Sequence, residues 1–67
     1  MSMLSDKEFW TQQRMHILRM ADAMGRRASD LAEGDVDRQF YLALRRLELG
    51  RCEIIEARFG LKYHGRE

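Results

Sequence analysis

The sequence contains no proline and only one cysteine, Cys52. Without proline, nothing in the chain both removes a backbone donor and clashes with the preceding helical turn, so no helix is forced to stop. A lone thiol excludes an intramolecular disulfide framework and a cysteine-based zinc site. It also suits a reducing compartment better than an oxidising one. Histidine is limited to His16 and His64. No His-x3-His or Glu-x-x-His spacing occurs, so neither a metal nor any other cofactor is expected. Apolar runs are only a few residues long, which excludes a membrane span. No basic segment followed by an apolar stretch opens the chain, and a cytoplasmic location is the expectation. The net charge of +1 argues against a protein that simply coats nucleic acid, although the basic excess sits in the second half.

With 67 residues the chain forms one domain, residues 1–67. A chain this short buries only about 60% of the surface its unfolded form exposes. Small proteins usually compensate with disulfides, a metal or oligomerisation. The first two are absent from the sequence, so self-association is expected.

What is present reads as helix. Ser5-Asp6-Lys7-Glu8 is a capping box, in which serine and glutamate satisfy each other's free backbone N–H groups. Asp6 and Glu8 also stand where the helix dipole favours negative charge. Good helix formers follow as far as Glu33, with Gly25 the one weak position. Gly34-Asp35 supplies a helix stop and a new N-cap. The spacing therefore predicts a first helix over about 6–33, a turn at 34–35, a second helix over about 36–59 and a frayed tail over 60–67. Leu61 is placed to fold back as the apolar contact of a Schellman motif.

Apolar residues recur at helical, not strand, intervals. Trp10, Ile17, Met24 and Leu31 make one stripe, joined by Met20, Ala21 and Ala28. Val36, Phe40, Leu44, Leu47 and Ile54 make another, widened by Ala43, Ile55 and Phe59. Two long helices with a short link must run antiparallel. The expected fold is all-α, an antiparallel two-helix hairpin with the two stripes facing each other and Gly50 opposite Met20. Leu42 and Leu49 fall outside the second stripe. A helix apolar around much of its circumference needs burial on more than one side, which points to a homodimer forming a four-helix bundle. The length, the hairpin of two long helices and the ending Ala57-Arg58-Phe59-Gly60 resemble the Rop family. Its members are plasmid-encoded hairpins that dimerise into four-helix bundles and bind paired RNA loops. The resemblance implies the architecture, and only that is carried over.

No catalytic constellation is visible. Cys52 and His16 could approach each other across the hairpin, but a thiolate–imidazole pair also needs a cleft and an orienting group. Cys52 reads instead as a small apolar filler. Glu48, Glu53 and Glu56 read as solvent-facing partners of Arg45, Arg51 and Arg58. The functional expectation is a non-enzymatic regulator, adaptor or inhibitor, of the kind encoded by phages and plasmids, that binds a host or cellular protein. Met15, Leu18, Tyr41, Leu42 and Leu49 are the candidate contact residues, because apolar and aromatic side chains off the main stripes suit a binding surface. The alternative is an RNA- or DNA-binding regulator that grips phosphates with Arg26, Arg27, Arg38, Arg45 and Arg46 near the turn. Acidic Asp30, Glu33, Asp35 and Asp37 crowd the same end.

Overall fold

The computed structural model describes residues 3–65. Two helices, α1 (Asp6–Ser29) and α2 (Val36–Phe59), pack antiparallel in a rod 48 Å long. The described residues contain no strand. The capping box at the start of α1 is formed in both directions. The Glu8 N–H donates to Ser5 Oγ at 3.2 Å, and the Ser5 N–H donates to Glu8 Oε1 at 3.1 Å. Donation to the Glu8 carboxyl by the Ser5 backbone N–H first, and by the Ser5 side chain second, holds it below its usual range, because it favours the charged form.

α1 ends at Ser29, four residues short of the expected boundary. The Ser29 hydroxyl donates to the Arg26 carbonyl at 2.9 Å. The Leu31 N–H donates to the Ala28 carbonyl at 3.1 Å, three residues back rather than four. Such tightening closes a helix. The link therefore spans residues 30–35, with Gly34 at φ +89, a conformation open to glycine. The N-cap of α2 is Asp35, whose Oδ1 accepts the Asp37 N–H at 2.8 Å. At the far end Gly60 takes the left-handed conformation, and the Leu61 N–H donates to the Glu56 carbonyl at 2.9 Å. This is a Schellman turn, and it reverses the chain so that Leu61 packs on the core. The described part of the tail, residues 61–65, lies back along the hairpin; the expected fraying at 66–67 falls outside the described residues.

The seam is not the one that the stripes predict. Its core is Ile17, Cys52 and Ile55, with Leu18, Phe59 and Leu61 packed against it. Ala21 and Ala28 are also buried. In α1 the expected face points inward at Ile17, Ala21 and Ala28, while Met20 is exposed. In α2 most of the expected stripe faces solvent: Val36 is 81% exposed, Phe40 55%, Leu47 65% and Ile54 71%. Leu44 is half-buried, and of the residues that widen the stripe Ile55 and Phe59 face the seam as expected. Longitudinal register nevertheless agrees with the hairpin reading, since Arg14 reaches Glu56 and Gly25 lies beside Arg45. The helix is in register but turned about its own axis. A Cβ at Gly50 would therefore meet nothing within 4 Å, and of the two helical glycines it is Gly25 that has a side chain of the other helix, Arg45, against it.

Candidate functional site

Three features of the molecule stand out as candidate sites: one polar cluster and two apolar faces. The polar cluster joins both helices to the tail. Arg14 Nε donates to Glu56 Oε2 at 2.7 Å, and Arg14 Nη2 donates to the Lys62 carbonyl at 3.0 Å. His64 Nδ1 lies 3.1 Å from both Glu56 oxygens. A carboxylate only accepts, so Nδ1 carries the proton in this contact. The Glu56 side chain is 4% exposed and that of Arg14 18%. The expectation that Glu56 faces solvent is thus overturned. Two residues on from exposed Ile54, it stands on the opposite side of α2. That side is the seam, where Arg14 supplies the opposite charge and His64 a hydrogen-bond contact. Antiparallel register was the available signal, because it puts position 14 level with position 56; for the tail, Gly60 and Leu61 signalled the reversal of the chain but not the arrival of His64.

Cys52 is fully buried next to this cluster, and its thiol points to the Arg14 carbonyl at 3.9 Å. Burial raises the thiol pKa, and the negative charge of Glu56 adds to the effect. A thiol held protonated and out of solvent is a poor nucleophile. His16 is exposed, and the histidine close to the thiol's surroundings is His64. Among the described residues no group of three or more His, Cys, Asp or Glu side chains converges as metal ligands would.

The first apolar face is the outward side of α2, with Phe40, Leu47 and Ile54 in the open. It runs into a groove of about 400 Å³ between Trp10 and Ile54, walled by Phe59 and rimmed by Asp6, Arg51 and Arg58. The second lies on the other flank. Met15, Leu18 and Leu49 line a groove of about 600 Å³ together with Tyr63 and His64 of the tail and Arg45. Three of the five expected contact residues thus share one groove. Met15 is its exposed member, whereas Leu18 and Leu49 are half-buried. Leu42 is half-buried as well, and Tyr41 lies beneath Arg27, whose guanidinium carbon is 5.8 Å from the ring centroid.

The arginines of the alternative reading do not form one free cluster. Arg26 pairs with Asp22 at 2.9 Å, Arg27 covers Tyr41, and Arg45 lies against Gly25. Arg38 is half-buried, with Nε enclosed and without a hydrogen-bond partner among the described residues. Arg46 is exposed. No helix among the described residues is long and apolar enough to cross a membrane. No protein-family model, curated protein or solved structure matches the chain.

Proposed function

We propose that this chain is a non-enzymatic, cytoplasmic regulator or adaptor that works as a homodimeric helical hairpin, a four-helix assembly, and binds a cellular protein. The observation that carries the reading is the exposed apolar row Val36, Phe40, Leu47 and Ile54. Contiguous apolar surface of this kind marks an interaction site in a monomer that would otherwise be left with a minimal core. Two apolar faces serve two contacts. The outward side of α2 serves self-association, and the groove of Met15, Leu18 and Leu49 serves the cellular partner. That groove is lined by basic Arg19 and Arg45 and by Asp22, which Arg26 already pairs, and the basic excess suits an amphipathic segment with an apolar anchor beside acidic groups.

Affinity capture from nuclease-treated extract of the source cells, with Met15→Gln and Leu49→Gln beside the parent chain, tests the second contact. One protein should be recovered with the parent and lost with both variants, and it should persist when salt is raised. Recovery of nucleic acid from untreated extract instead, lost on Arg45→Ala and Arg46→Ala and falling steeply with salt, would replace this reading with the phosphate-binding one.

A further inference from the structure

The exposed face of α2 has a composition that specifies its occupant. Its residues follow a four–three repeat: Val36, Phe40, Ala43, Leu47, Gly50, Ile54 and Ala57. This is the a/d spacing of a coiled-coil seam. Phe40, Leu47 and Ile54 occupy a, all large. Ala43, Gly50 and Ala57, all small, occupy the d positions that alternate with them, and Val36 holds the remaining d position at the first residue of α2. None of these seven residues is buried. Gly50 makes the point most sharply. It stands in the middle of α2, where glycine is among the least favourable residues, and a Cβ placed there would touch nothing in this chain. The hairpin itself gives no reason for the missing side chain.

We infer that α2 pairs antiparallel with α2 of a second copy, about a two-fold axis passing between residues 48 and 49. This rests on the homodimer reading above and gives it a partner surface and a register. Reversing one copy brings each a residue level with a d residue of the other. In this register Leu47 faces Gly50 of the second copy, Phe40 faces Ala57, and Ile54 faces Ala43. Each of these three layers pairs a large side chain with a small one, twice by symmetry, so two backbones approach closely without voids. Val36 falls level with residue 61, beyond the end of α2, and lies outside the paired layers. A parallel pairing would stack Phe40 on Phe40 and Gly50 on Gly50, leaving layers alternately crowded and empty.

The flanking charges select the same register. On one side Arg46 falls beside Glu53 of the second copy, and on the other Asp37 falls beside Arg58. Both are opposite-charge pairs, and symmetry repeats each. Charge pairs at these flanking positions set partner and orientation in helix pairs. The groove between Trp10 and Ile54 lies where this register delivers Phe40 of the second copy, close to Ala57 and Arg58. A generic apolar ligand would account for the exposed large residues. It would not account for Gly50, for the large–small alternation, or for charges that match under reversal.

The test uses the full chain at low micromolar concentration, with sedimentation equilibrium for mass and circular dichroism for helix content. The parent should sediment at twice the 8.0 kDa chain mass. Arg46→Glu sets a carboxylate against Glu53 of the second copy, and Glu53→Arg sets two guanidiniums at the same place. Each should weaken the dimer by about three- to tenfold. Mixed one to one, the two variants should form a heterodimer in preference to either homodimer, and the double variant should regain parental affinity. Gly50→Leu should raise helix content while weakening the dimer at least about a hundredfold, because it overfills, twice by symmetry, the layer that Leu47 enters. A dimer indifferent to all these changes would overturn the register and leave self-association standing. A folded monomer of 8.0 kDa would overturn both.

Discussion

Arg14 and Glu56 meet across the seam at 2.7 Å, with Glu56 almost fully buried and Arg14 largely so. The pair sits at the open end of the hairpin, and the same arginine ties down the tail through the Lys62 carbonyl. Removing one member of such a pair leaves the other's charge without compensation in a poorly solvated place. Glu56→Gln should therefore destabilise the protein by about 2–4 kcal/mol in urea titrations, somewhat less than a fully buried pair because Arg14 keeps partial solvation. It should also free the tail, seen as lowered backbone order parameters for residues 62–65. The double change Arg14→Met, Glu56→Met should recover most of the stability, because apolar groups of similar volume need no counter-charge. A double variant no better than Glu56→Gln would assign the cost to lost packing.

The capping box at the start of α1 predicts an acid sensitivity of known direction. Glu8 has its pKa lowered in the folded state by hydrogen bonds with Ser5. Its stabilising contribution is present above the unfolded carboxyl value and is lost as pH falls through the lowered folded value. Ser5→Ala should cost about 1 kcal/mol at neutral pH. Glu8→Ala, which removes the carboxyl itself, should have a lower thermal midpoint than the parent at neutral pH, and the difference should narrow as the parent's carboxyl protonates.

Cys52 predicts an alkaline sensitivity of the opposite kind. Its pKa is raised from the ordinary 9.0 by burial and by Glu56. Between the unfolded and the raised folded value the unfolded chain releases a proton that the folded chain retains, so stability falls as pH rises through that window. Cys52→Ala should flatten this slope. Thiol alkylation at neutral pH should proceed at the rate of unfolding rather than at the rate of a free thiol. Fast labelling of the folded protein would contradict the buried position.

Gly25 offers a stabilising substitution. A Cβ there would lie 3.3 Å from Arg45 Nε, the far portion of an exposed, flexible side chain that can swing aside. Gly25→Ala should raise stability by about 0.5–1 kcal/mol through helix propensity. A loss instead would mean that Arg45 is held in place by something beyond this chain.

Local signals in the sequence translate directly into structure. Ser5-Asp6-Lys7-Glu8 begins α1, Asp35 begins α2 and Gly60 ends it, each by chemistry within a few residues. Both bounds of α2 and the antiparallel register follow from them. The end of α1 is less legible, because the Ser29 hydroxyl competes with the backbone for the Arg26 carbonyl, a contact that helix propensity does not weigh. The rotation of α2 is not legible at all. Counting apolar residues places the most apolar stripe inward. The structure turns Cys52, Ile55 and Glu56 inward instead, since Arg14 and His64 make the burial of a carboxylate tolerable. A pattern that records only hydrophobicity cannot anticipate that compensation. The same rotation separates the expected contact residues: Met15, Leu18 and Leu49 gather on one groove, while Tyr41 is covered by Arg27.

The placement of the core also dictates an order of assembly. Ile17, Cys52, Ile55 and the Arg14–Glu56 pair lie away from the link at 30–35, and the polar contacts of Arg14 with Cys52, Glu56 and Lys62 join residues 38–48 positions apart. The residues of α2 nearest the link include exposed Val36 and Phe40, so a hairpin zipping outward from its turn gains little at first. Closing a loop of that length costs chain entropy before the most favourable contacts can repay it. Folding of the hairpin should thus be governed by the encounter of the middle of α1 with the last turns of α2. Shortening the chain by a few residues at the tail should slow that encounter's consolidation far more than lengthening the link.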